Sequence, residues 1–76
     1  MHERVLEALA RVFGRPRSDI PEDASTATLA DWDSLRQLEL MLELELEFGV
    51  HVPAEAMTEL QSVAEIEEFL AERGVG

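Results

Sequence analysis

Within this 76-residue chain, residue types and spacing point to chemistry in one stretch, Asp31-Trp32-Asp33-Ser34-Leu35. The reactive group there is the hydroxyl of Ser34. A polar, irregular segment precedes it, and the longest helical pattern of the sequence, Arg36 to Phe48, follows directly. This places the serine at a helix N-terminus, where unpartnered backbone N–H groups and the helix dipole favour negative charge. A phosphodiester borne on this hydroxyl would be electrostatically well placed. The same residue also fits a purely structural account. Ser34 and Gln37 have the spacing of a capping box, and on that account replacing the serine with alanine costs about 1 kcal/mol of helix stability.

Few other side chains compete for a chemical role. Cysteine is absent, which removes disulfides, thiolate nucleophiles and sulfur-ligated metals. His51, between Val50 and Pro53, reads as a solvent-facing loop residue because no cluster of ligand-type residues accompanies it. Carboxylates are plentiful but spread over helix surfaces, and neither histidine has an evident nucleophile or orienting partner. None of the acidic stretches has a calcium-loop pattern with its turn glycine. Neither catalytic residues nor a metal site are expected.

The elements that must position Ser34 follow from apolar spacing. Val5, Leu6, Leu9, Val12 and Phe13 recur at helical intervals from His2 to Phe13, with Glu7 and Arg11 spaced as an i,i+4 pair and Gly14 as the stop. Residues 15–33 break every regular period. A connection this long should be packed down by its own side chains, with Ile20, Ala24 and Leu29 as pegs, and a turn of helix is compatible with 27–32. The Leu-Glu alternation at 42–47 would suit a strand, but Leu, Glu, Met and Gln are strong helix formers and no β-branched residue occurs in 34–48. The spacing therefore predicts a helix ended by Gly49. Leu40, Met41, Leu44 and Phe48 share one arc of it, and Leu35, Leu38, Leu42 and Leu46 a second. One arc docks the helix onto a core; the second implies a partner, a ligand or a core that wraps further round. Leu38 reads equally as core or surface, Leu42 and Leu46 as surface. Pro53 precedes a short helix over Ala54–Leu60, and Ser62-Val63-Ala64-Glu65 is a capping box opening a last helix with Val63, Ile66, Phe69 and Leu70 on its apolar face, closed by Gly74. The expected fold class is all-α: a small four-helix bundle, three longer helices and one short, with a long loop between the first two, forming a single domain over 1–76.

Charge narrows the partners. The net charge is −11, with Arg4, Arg11, Arg15 and Arg17 confined to the N-terminal segment and Arg36 the sole base between Ser18 and Glu72. Such a field repels nucleic acid and anionic membranes and steers basic protein surfaces toward it. A hydrophobic fraction of 46% with clear periodicity excludes disorder. The absence of a membrane-length apolar run and of a leader-like N-terminus predicts a soluble cytoplasmic protein, and a monomer is expected.

Asp33-Ser34-Leu35 resembles the Asp-Ser-Leu signature of acyl carrier proteins and the related peptidyl carrier domains. The likeness extends over essentially the whole chain. Asp23-Ala24-Ser25 precedes the serine at the family's usual distance, the acidic helix ends in Glu47-Phe48-Gly49-Val50, and Pro53, a short helix and a Ser62-Val63 helix start follow. The resemblance implies a carrier without catalysis of its own. Ser34 would accept 4'-phosphopantetheine from coenzyme A through a separate Mg²⁺-dependent phosphopantetheinyl transferase, with Asp33 and Leu35 flanking the attachment point. The thiol of that arm would hold an acyl or aminoacyl group as a thioester. Implied partners are the transferase, an acyl- or aminoacyl-loading enzyme, and ketosynthase, acyltransferase or condensation-type enzymes. Glu39, Glu43, Glu45 and Glu47, with Arg36 beside them, would face those partners, and Leu42 and Leu46 would supply an apolar anchor. Leu35 and Leu38 would lie near the arm and could shelter cargo. Trp32 would contact the arm or a partner, or peg the loop.

The chain also departs from the family pattern. Ala30-Asp31-Trp32 stands where Leu-Gly-X is frequent, Arg36 where an acidic or small polar residue is frequent, and Leu46 at a common acidic position. These departures favour a free-standing carrier in polyketide, nonribosomal-peptide or amino-acid-loading chemistry over a housekeeping fatty-acid carrier. An unmodified acidic helical interaction module is the alternative from a different class.

Overall fold

The computed structural model describes residues 2–75, and its elements are helical. Three α-helices are formed: α1 over His2–Phe13, α2 over Ser34–Phe48 and α3 over Val63–Glu72. Among the described residues no strand forms, only an antiparallel bridge between Ser25 and Ser62. Leu-Glu alternation notwithstanding, 42–47 is helical, as its residue types require. The short helix expected at 54–60 is instead a 3₁₀ helix over Ala54–Thr58. Pro53 opens it without a side-chain cap, and the Gln37 side chain takes the carbonyls of Met57 and Leu60 at its far end, so five residues are held in a tight turn.

The core is built by the stripes the spacing predicts. Leu6 and Leu9 of α1, Leu40 and Leu44 of α2, and Ile66 and Leu70 of α3 are all fully buried. The long connection from Gly14 to Asp33 contains a 3₁₀ turn at Arg17–Asp19, and 27–32 forms turns rather than helix. Ile20, Ala24 and Leu29 are buried as pegs, with Trp32 beside them. Midway, the loop is tied to the start of α3: Thr26 N–H donates to the Gln61 carbonyl at 2.9 Å and Val63 N–H to the Ala24 carbonyl at 2.9 Å. These bonds satisfy backbone groups that a loose loop would leave to water.

Charge pairing runs between elements rather than along them. Arg11 does not take Glu7 of its own helix but reaches Glu43 at 2.8 Å and Glu47 at 3.2 Å on α2. Arg4 donates to the Glu47 carboxylate at 3.1 Å and to the Glu47 carbonyl at 2.9 Å, while its guanidinium lies 4.5 Å over the Phe48 ring. The carbonyl contact caps an orphan acceptor in the last turn of α2, which Gly49 then leaves at φ 66. These exposed pairs fix the approach of α1 and α2 more than they stabilise it, each contributing about 0–1 kcal/mol.

His2 bridges Glu22 of the loop, at 3.2 Å, and Glu67 of α3. The Glu67 contact, helped by Glu22, raises its pKa above the ordinary value of 6.5. A raised folded-state pKa stabilises the protein fully below the unfolded value, and that contribution disappears as pH rises through the folded value. The thermal midpoint is therefore expected to contain a component that falls as pH rises above about 6.5 and is missing from His2→Gln, measurable by circular dichroism at fixed ionic strength.

Candidate functional site

Ser34 is the first residue of α2 and is exposed. The cap is its neighbour: the Asp33 carboxylate accepts from Arg36 N–H at 2.9 Å. The capping-box expectation for Ser34 and Gln37 is thereby shifted by one position, because Asp33 rather than Ser34 has the extended backbone of a cap, with φ −101 and ψ −171. Gln37 is drawn elsewhere. Its side chain accepts from the Trp32 indole N–H at 2.6 Å and donates to the Met57 and Leu60 carbonyls at 2.8 and 2.9 Å. The Ser34 hydroxyl consequently makes no hydrogen bond to the described residues. The N–H groups of Ser34 and Leu35, ahead of the i→i−4 ladder, are likewise without partners among them. Asp33→Ala should remove the cap and cost about 1 kcal/mol in urea-denaturation experiments.

A groove of about 450 Å³ opens at Ser34, lined also by Thr26, Trp32, Asp33, Gln37, Met57, Thr58 and Gln61. Of these, Thr26, Met57, Thr58 and Gln61 were given no role by sequence spacing. They come from two distant segments, which the loop's attachment to the start of α3 and the side chain of Gln37 bring together.

Trp32 is buried, 5% exposed, with its ring edge-on to Phe13 at 5.7 Å. Its burial and its contact with Phe13 are those of a loop peg, and it also lines the groove at Ser34.

The second arc of α2 is exposed along its length: Leu35 59%, Leu38 45%, Leu42 53% and Leu46 83%. The glutamates expected beside it are placed differently from one another. Glu43 and Glu47 are half-buried against α1 by Arg11 and Arg4, and Glu45 accepts from Val52 N–H at 2.8 Å near the helix end. Glu39 stays at the exposed edge, paired with Arg36 at 2.8 Å. His51 is surface, its ring 3.6 Å from Glu45.

The family model described as "Phosphopantetheine attachment site" matches residues 3–70. The acyl carrier protein of Rickettsia bellii (strain RML369-C) is 33% identical over 72 residues, covering 95% of this chain and 84% of that protein. The chain belongs to the acyl carrier protein family. A second Rickettsia bellii acyl carrier protein (strain OSU 85-389) is also 33% identical over 72 residues, with 89% of its length covered. That of Rickettsia canadensis (strain McKiel) is 27% identical over 73 residues, with 85% covered. Carriers of this family are non-catalytic and bear a covalent 4'-phosphopantetheine installed by a phosphopantetheinyl transferase. The residues present fit that group. An exposed, unbonded hydroxyl beside free N–H groups at a helix N-terminus suits a phosphodiester, and the adjoining groove is open to solvent. Among the described residues no helix is long and apolar enough to cross a membrane.

Proposed function

We propose that Ser34 is the residue that carries the arm. The observation supporting this most directly is that its hydroxyl is exposed and unbonded at the first position of α2, while the neighbouring Asp33 does the capping. In the transfer, Ser34 Oγ bonds to the phosphorus of the phosphopantetheine moiety as the pyrophosphate link of coenzyme A breaks. The hydroxyl proton goes to a base of the transferase, and adenosine 3',5'-bisphosphate departs. Once bound, the arm supplies a terminal thiol that holds cargo as a thioester. The chain's own part is to present the hydroxyl, favour the phosphodiester charge at the helix N-terminus and keep Asp33 locked in place. Intact mass after incubation with a broad-specificity transferase and coenzyme A tests this: one phosphopantetheine increment is expected, and an unchanged mass on a folded protein refutes it.

Partner enzymes dock, on this reading, against the exposed Leu38, Leu42 and Leu46 row with Leu35 and Glu39 at the arm's end. Glu43, Glu45 and Glu47 are half-buried and engaged by Arg11, Val52 N–H and Arg4, which leaves Glu39 the more available to a partner. Leu42→Asp should accordingly slow transfer of cargo to a partner about tenfold, the equivalent of 1.4 kcal/mol, while circular dichroism stays unchanged. Equal transfer rates would remove Leu42 from the docking surface.

The cargo we infer is an acyl or aminoacyl group of a specialised pathway of polyketide, nonribosomal-peptide or related type. Arg36, where an acidic or small polar residue is frequent in fatty-acid carriers, and Leu46, at a common acidic position, support it. Selective charging of the arm-bearing protein by an adenylating enzyme, against indifference to one loading fatty-acid precursors, is the distinguishing assay.

A further inference from the structure

At roughly 100° per residue, Leu35, Leu38, Leu42 and Leu46 lie in one strip of α2, with Glu39 and Glu43 along one flank and Glu45 on the other. A basic partner surface would need those carboxylates free to meet it. Each already has a partner inside the molecule. Arg36 lies 2.8 Å from Glu39, Arg11 2.8 Å from Glu43 and Arg4 3.1 Å from Glu47. Glu45 accepts from Val52 N–H at 2.8 Å and lies 3.6 Å from the His51 ring. The four carboxylates of α2 are thus met by three guanidiniums, two of them from α1, and one negative charge is left in excess. Most of the net charge of −11 therefore lies off this helix. The leucines stay exposed, Leu46 most of all at 83%. Their spacing of i, i+3, i+7 and i+11 is that of a helix anchored in an apolar groove, and it spans about 16 Å of helix axis.

We propose that the face of α2 offered to a partner is apolar rather than anionic, that it fits an apolar groove about 16 Å long, and that Arg36 turns away enzymes whose carrier-binding surface is basic. The proposal rests on the reading that partners dock along the leucine row. A carboxylate bonded to arginine must give up that bond before it can meet a partner's lysine or arginine, and the Arg36 guanidinium itself repels such a surface. Aliphatic side chains carry no such penalty toward an apolar wall. Because the row begins at Leu35, beside Ser34, a groove that takes it leads directly to the arm.

Two phosphopantetheinyl transferases serve as probes, one with a basic carrier-binding surface and one with an apolar surface. Initial loading rates are read by intact mass. Each variant's rate is divided by the parent's at the same salt, which cancels the enzyme's own response to salt. Arg11→Gln/Arg36→Gln releases Glu43 and Glu39. With the basic-surface enzyme its ratio should be about ten in ~0.1 M sodium chloride and near one in ~1 M, where screening acts within about 3 Å. With the apolar-surface enzyme the ratio should stay within about twofold of one at both salts. Arg36→Gln alone breaks a pair within a single exposed turn and leaves the contacts to α1 intact, so it folds even if the double variant does not. Its ratio with the basic-surface enzyme should be about three at low salt. A ratio near one there, or an equal rise with the apolar-surface enzyme, overturns the proposal. Leu42→Asp, expected to slow the apolar-surface enzyme about tenfold, separates this inference from the reading beneath it. Unchanged loading of Leu42→Asp by both enzymes overturns the docking row and this inference with it. Slowed loading together with a ratio near one for Arg36→Gln overturns this inference alone.

Discussion

Ser34→Ala is expected to abolish the phosphopantetheine mass increment completely while leaving the protein as stable as its parent. The two halves of this result have separate causes. Loss of loading follows, on the proposed attachment at Ser34, from removal of the hydroxyl at the head of α2. Retained stability follows from the hydrogen-bond pattern: Asp33 provides the cap, the Ser34 hydroxyl binds nothing among the described residues, and alanine is the best helix former at an exposed helical position. The cost of about 1 kcal/mol that a capping serine would imply therefore reduces to a change within about 0.5 kcal/mol. Intact-mass analysis and urea denaturation on the same preparations check both halves. A variant that still gains the increment transfers the attachment point to another hydroxyl.

Leu44→Ala should produce the largest loss of stability, about 2–5 kcal/mol, whereas Leu46→Ala, two residues later, should change stability by no more than about 0.5 kcal/mol. Leu44 is fully buried and Leu46 is 83% exposed, so the first substitution opens a cavity in the core and the second trims a side chain already in water. For a domain of this size each kcal/mol lowers the melting temperature by about 4–8 °C, so the two variants are easily separated by thermal unfolding. Comparable midpoints would contradict the packing of α2. The Leu46 variant is also the more informative in transfer assays, because any defect it shows there is free of unfolding.

The helices were legible wherever one element sufficed to define them. Val5, Leu6, Leu9 and Phe13, or Val63, Ile66, Phe69 and Leu70, carry the period of a buried helical face whatever they pack against, and Gly14 and Gly49 mark stops through their left-handed backbone. The register at the head of α2 was not legible. Asp33 and Ser34 are both good caps, and Gln37 stands at capping-box distance from the serine but is held by Trp32 and two carbonyls from beyond Pro53. Pairing of Glu43 and Glu47 with Arg11 and Arg4 depends on which flank of α2 meets α1, a relation between helices that no local spacing encodes. The same holds for the groove. Thr26 and Gln61 face each other because a loop residue bonds to the start of α3, and nothing in either segment alone announces it. An exposed serine at the head of a helix and the outward Leu42 and Leu46 could be read from the chain; the groove beside the serine could not.

Trp32 is the only tryptophan in the molecule, and its ring is sealed against Phe13 while its N–H is bound to Gln37. An indole shielded from water emits at shorter wavelength than a hydrated one. The protein therefore contains a single indole fluorophore at the junction between the long loop and the head of α2. Its emission maximum should shift to the red when that junction opens, reporting local loosening in a dilute, unlabelled sample.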